Sequence, residues 1–219
     1  MTARLRDFPE QHLQRSRRFF ELMSPILRTR AFEVITCVVG LPIARELQDA
    51  FAAQLDDIVH LLPAGTRIYR VGRARLHWEA HIVKRPDEPV PSTPAAEIEA
   101  AFTAAVRGTR HFELDYQGFF VSSEGTVCFQ GFGDSDELRA RLREQVVGSS
   151  AHQLVTTHIS GARILDPVGP SSFARLIELR DRSAARRYGT LPVDEVKLVA
   201  EHRWYMERYR VLASARLRR

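Results

Sequence analysis

Residues 32–62 constrain the fold more than any other stretch. Residues 32–39 (FEVITCVV) are rich in β-branched and aromatic types and too few for a stable helix, so they predict a buried strand. Residues 42–62 (PIARELQDAFAAQLDDIVHLL) set Ala44, Leu47, Phe51, Leu55, Ile58 and Leu62 at three- and four-residue spacing, which predicts an amphipathic helix opened by Pro42. A strand period giving way at once to a helical one means that a sheet and its helices bury their apolar faces against each other.

The alternation continues along the chain. Residues 8–30 predict an N-terminal helix with apolar positions at Leu13, Phe19, Phe20, Leu22 and Met23, ending near Pro25. Residues 67–71 and 75–83 predict two strands, and the Pro-rich run 84–93 is a loop. Thr93 and Pro94 open a helix that stops at Gly108; residues 111–133 then predict a hairpin turning around Ser123–Gly125, and Asp134 and Ser135 cap another helix. Residues 152–165 predict a strand, 171–189 a helix stopped by Gly189, and 193–199 a strand followed by a hairpin partner or short helix. The order suits two α+β lobes whose sheets face each other across a groove.

A hydrophobic share of 44% and a charged share of 27% exclude wholesale disorder and fibrous architectures. Cys37 and Cys128 lie in apolar runs without ligand spacing, which predicts reduced core thiols and a cytoplasmic setting. The charged N-terminal stretch resembles no signal segment, and no run has the ~20 apolar residues of a membrane span. Lys and Arg total 32 against 27 acids, a net charge of +5, with arginine greatly outnumbering lysine. The planar guanidinium fits phosphate oxygens, so the balance suits RNA or a nucleotide; GC-rich codon usage is the competing explanation.

Alternate residues of a strand share a face, so residues 76–81 (LHWEAH) predict His77, Glu79 and His81 on one side. By the same rule Thr156, His158, Ser160 and Ala162 lie together and Arg163 points away, where an ion pair competes with a phosphate contact. Residues 157–163 (THISGAR) and 67–79 (RIYRVGRARLHWE) resemble the two His-x-Thr/Ser elements of the 2H phosphoesterases, a superfamily that includes bacterial 2′-5′ RNA ligase-like cyclic phosphodiesterases. The second element follows the family pattern of His, any residue, Thr or Ser, a small residue and Arg. The first matches in its lead-in and in His77 but has Glu79 where Thr or Ser is usual. The similarity in element order runs from about residue 32 to 217.

The resemblance implies an α+β, bilobal, pseudo-symmetric fold in which two antiparallel sheets flank a central groove with helices outside. Residues 1–30 are then an N-terminal helical extension and 31–219 a single bilobal domain. It implies a metal-independent phosphodiesterase acting on 2′,3′-cyclic or 2′-5′ linked RNA or nucleotide phosphates, without a cofactor, with His77 and His158 as catalytic acid and base. Ser160, Glu79, Arg163, His81 and Trp204 are candidates for binding phosphate or substrate. The expected molecule is a cytoplasmic monomer without membrane contact. Opening a cyclic phosphate needs a base to activate water and an acid to protonate the leaving ribose oxygen, and imidazoles titrate in the useful range. Ser160 is suited to donate to a nonbridging oxygen.

Other readings stay open at this point. An ionised Glu79 repels phosphate unless it pairs with Arg73, Arg75, His81 or another arginine, contacts a sugar, or orients a histidine. A degenerate site that binds RNA or nucleotide without turnover is the alternative function. A metal site of His77, Glu79 and His81 is a third. Trp204 and Tyr205, beside His202 and Arg203, either stack on a base or cover the core.

Overall fold

The structure, a computed structural model, describes residues 6–22 and 27–219. The order is α1 (Glu10–Arg17), β1 (Phe20–Glu21), β2 (Arg28–Thr29), β3 (Ala31–Val39), α2 (Arg45–Leu61), β4 (Ile68–Arg70), a 3-10 turn (Arg73–Arg75), β5 (Trp78–Lys84) and α3 (Ala95–Gly108). It continues with β6 (Phe112–Val121), β7 (Thr126–Phe132), α4 (Asp136–Gln145), β8 (His158–Ile164), α5 (Pro170–Arg182), β9 (Arg187–Val193), β10 (Glu195–Arg203) and β11 (Arg208–Arg216).

The strands form a two-stranded sheet, β1 with β2, and an antiparallel sheet in the order β11-β10-β3-β5-β8-β7-β6-β9, with β4 on the free edge of β8. Its two halves meet at a single residue pair, Trp78 with Ile159. Beyond that pair the edge of β5 is closed by a loop: Gln153 bonds both the N–H and the C=O of Ile82, and the Ser150 N–H donates to Val83. The expected two-lobed α+β architecture is thus present, with the two sheets fused at one point into a curled surface.

Helices cover the outer face of each half. α3 packs on β10 and β11 and α4 on β5, while α2 packs on β8 and β9 with α5 beside it. The main core lies between sheet and helices; Trp78, Phe51, Phe102, Phe129 and Leu138 are fully buried in it. Phe51 stacks on Phe129 at 4.0 Å, which ties α2 to the second half. Among the described residues no helix is long and apolar enough to cross a membrane.

Two expected elements differ. α1 ends at Arg17, before Pro25, because Phe20 leaves the helix to bury its ring against Tyr69 and the chain closes a short hairpin, with the Arg30 N–H on the Phe19 carbonyl. Met23 and Pro25 lie outside the described residues. α5 ends at Arg182, and Gly189 lies inside β9 instead of stopping a helix; Tyr188 packs edge-on against Phe51 and Phe129, and that burial outweighs the helical pattern. The C-terminal segment is the hairpin β10–β11.

Candidate active site

The two halves repeat one local device. His77 precedes β5 and His158 opens β8, and the residues that follow them, Trp78 and Ile159, are the pair that joins the halves. Each strand then carries a bulge at the small residue three places after its histidine. On β5 the pairing passes from Val38 with Glu79 to Cys37 with His81, leaving Ala80 extra. On β8 it passes from Cys128 with Ser160 to Val127 with Ala162, leaving Gly161 extra. Gly161 suits that place because a Cβ there would lie 2.6 Å from the Phe129 ring.

Directly paired residues share a face, so each bulge reverses the alternation beyond it. Glu79 stays on the groove side with Val38, whereas His81 follows Cys37 to the opposite face. The expectation that His77, Glu79 and His81 share a side fails for this reason. His81 is buried against the 146–150 loop, with Nε2 2.8 Å from Ser149 Oγ, and burial with the nearby Arg143 charge holds its imidazole down at about 4. Three ligands therefore do not converge on β5, and among the described residues no group of three His, Cys, Asp or Glu is placed to hold a metal.

The Gly161 bulge acts the other way on Arg163. It pairs with Thr126, the same-face neighbour of Cys128, and so lies on the side of His158 and Ser160, contrary to the regular-strand expectation. The side chain does not reach the site. It is buried, donating to Thr126 Oγ1 at 2.7 Å and Ser16 Oγ at 3.3 Å, with its guanidinium 5.3 Å from the Trp204 ring centre. Arg163 thus supports the turn that carries Trp204.

One small cavity of about 60 Å³ is lined by His77, Glu79, Leu154, His158, Ser160, Glu201, Trp204 and Tyr205. Since one water needs about 10–15 Å³ of such space, the cavity admits a phosphate-sized group and leaves a nucleoside at its rim. The structure brings together His77, Glu79, His158, Ser160 and Trp204; His81 and Arg163 are not part of the lining.

Both imidazoles are fixed by the residue two places earlier. His77 Nδ1 lies 2.7 Å from the Arg75 carbonyl, which can only accept, so Nδ1 carries the proton and the neutral ring leaves Nε2 as its basic atom. His158 Nδ1 lies 3.0 Å from Thr156 Oγ1. The loop before His158 is held by the buried Arg139 of α4, which donates to the Val155 and Thr156 carbonyls at 3.0 Å each. Burial pushes both imidazoles below their ordinary range; His77 is lowered further by His158, and His158 by Arg139.

The carboxylates behave oppositely. Among the described residues Glu79 has no cation within 4 Å: Arg73 pairs with Asp49 and Arg75 with Glu207, which removes the pairings expected for it. Burial raises Glu79 to about 7, against weaker opposing effects of Thr36, Arg85 and Arg139. Glu201 on β10 was not anticipated. It pairs with Val34, whose side chain shares the groove face with Thr36 and Val38, and its carboxylate accepts the Met206 N–H at 2.7 Å. Burial, then the charge of Glu79, raises it to about 8. A glutamate on the same strand face as Val199 was the signal in the sequence. Tyr205 and Met206 adopt left-handed φ values of 58° and 55°, so the Glu201 bond also holds a strained turn over the cavity.

No family model matches the chain, and no curated protein matches it. Solved structures do. Apo LigT of Escherichia coli aligns over 86% of this chain and 99% of its own, at 16% identity and a TM-score of 0.55. TT0787 of Thermus thermophilus aligns over 84% and 98%, at 18% identity and a TM-score of 0.54. A structure described as a phosphoesterase aligns over 85% and 99%, at 16% identity and a TM-score of 0.56. LigT is also known in complexes with phosphate and with NADP+. The chain therefore shares the bilobal α+β fold of LigT and of these other structures.

Proposed function

We propose that this protein is a metal-independent phosphodiesterase of the 2H type, opening 2′,3′-cyclic or 2′-5′ linked phosphates of RNA or nucleotides, with His77 and His158 sharing the roles of general acid and general base between them. The observation that carries this reading is that both imidazoles, each oriented through Nδ1, line one phosphate-sized cavity. The complexes of LigT with phosphate and NADP+ are in keeping with an anionic nucleotide ligand here. We also propose that it acts as a monomer in the cytoplasm.

Both rings are neutral before substrate arrives, because burial disfavours their charge. A phosphate between them raises both, so that one imidazolium can stand beside one imidazole. The imidazole takes a proton from water as its oxygen bonds to phosphorus; the P–O bond to the ribose breaks, and the imidazolium protonates the leaving oxygen. A phosphomonoester and a free ribose hydroxyl result. Ser160 is suited to donate to a nonbridging oxygen, and Trp204, in the same lining, is suited to stack on a base.

The test is hydrolysis of a 2′,3′-cyclic nucleotide and a 2′-5′ dinucleotide with chelator present. Replacing His77 or His158 by Ala is expected to lower the rate by about 10²–10⁴, and the double variant to lose little more than either single one. Unchanged substrate across both classes would overturn the proposal. Binding that survives both replacements without turnover would favour an RNA- or nucleotide-binding protein instead.

A further inference from the structure

Glu79 occupies the place on β5 that Ser160 occupies on β8. Each lies two residues after its histidine, directly before the bulged small residue, and each lines the same cavity. Pseudo-symmetry therefore aims both at one group between the imidazoles. Ser160 brings a hydroxyl; a carboxylate would bring a negative charge to an anion.

The surroundings remove that conflict. The charged or titratable groups facing Glu79 are His77 on its own segment, His158 from β8, Glu201 from β10, Tyr205 from the β10–β11 turn, Arg139 from α4 and Arg85 beyond β5. The histidines are lowered and Tyr205 is raised, so all three are neutral near pH 7. Neither arginine comes within ion-pair distance: Arg139 is engaged by the Val155 and Thr156 carbonyls, and Arg85 lies 3.7 Å from Asp87. Glu201, which is 3% exposed, adds a second carboxyl to the cavity wall. Two carboxyls without cations, Glu201 buried and Glu79 half-buried in the cavity wall, favour their protonated forms, and a bound anion favours them further.

Resting on the phosphodiesterase reading for its ligand, we propose that Glu79 meets the substrate phosphate as a neutral carboxylic acid, donating to a nonbridging oxygen in the place where Ser160 donates from the other half. Glu79 is thereby a binding residue that adds its own step to the pH dependence of substrate affinity. Glu201 is the positioning residue whose carboxylate accepts the Met206 N–H and so holds the Trp204–Tyr205 turn.

The probe is sulfate, a tetrahedral dianion that does not titrate near neutrality, measured by calorimetry from pH 6.5 to 8.5 in buffers of different ionisation enthalpy. Wild-type protein is expected to take up protons on binding near pH 7.5 and to lose affinity about tenfold or more across the range, since each pKa step is a tenfold change. In E79Q the amide donates at every pH, so the affinity loss across the range shrinks severalfold relative to wild type and the proton uptake falls, while the share owed to the histidines, which a bound anion also favours in their charged form, remains. In E79T, which carries the family's usual hydroxyl, the same flattening is expected and guards against a folding defect in one variant. An unaltered pH profile in both variants overturns the inference, as does absence of sulfate binding to the wild type. Hydrolysis by the wild type is scored separately, so turnover with an unaltered profile removes the role of Glu79 and leaves the phosphodiesterase reading standing.

Discussion

Glu201 has 3% of its surface exposed and meets no cation within 4 Å among the described residues, and this sets the sign of a pH effect on folding. Its ordinary value of 4.5 is raised to about 8 in the folded protein. Between those values the native state binds more protons than the unfolded chain, so stability present below about pH 4.5 is lost as pH rises towards 8. Each pKa step is worth about 1.4 kcal/mol, which gives a few kcal/mol at most. Glu201→Gln keeps an acceptor for the Met206 N–H, so the variant should unfold at higher urea than wild type at pH 8 and near the same concentration at pH 4.5. His81 works from the other side: lowered from 6.5 to about 4, it stabilises the fold above pH 6.5 and that contribution is lost as pH falls through 4. His81→Gln should flatten the loss of urea resistance between pH 6.5 and 4.

At the scale of the element, the two bulges decide which side chains meet. Gly161 has the Phe129 ring 2.6 Å and Leu55 Cδ1 3.3 Å from where a Cβ would lie, and Phe129 is backed by Phe51. Gly161→Ala should cost about 1–3 kcal/mol, read as a lower melting temperature, and should reduce turnover by moving His158 and Ser160. Arg163→Met removes the cation beneath Trp204 and leaves Thr126 and Ser16 without their donor. Its expected cost is about 1–3 kcal/mol, with a larger effect on substrate affinity than on kcat, because the Trp204 turn loosens while the histidines stay. The residues of both His-x-polar elements were legible in the sequence because alternation holds locally. The faces of His81 and Arg163 were not, since a bulge is defined by the partner strand: Cys37 decides for His81 and Thr126 for Arg163.

At the scale of the molecule, one residue pair fuses two half-sheets, and Trp78 is fully buried at that point. Trp78→Ala should destabilise by about 3–5 kcal/mol in urea titrations and abolish hydrolysis before it abolishes folding, because the angle between the halves sets the spacing of the imidazoles. The sequence by itself determined most of the core strands, the central amphipathic helices and the two histidine elements, since each is written in the spacing of neighbouring residues. Only the tertiary structure decided that Glu201 from a distant strand joins Glu79, that β9 replaces the end of a predicted helix, and that both carboxyls are pushed upward. Burial and face parity are sums over neighbours remote along the chain, and they exist only once the two halves have closed on each other.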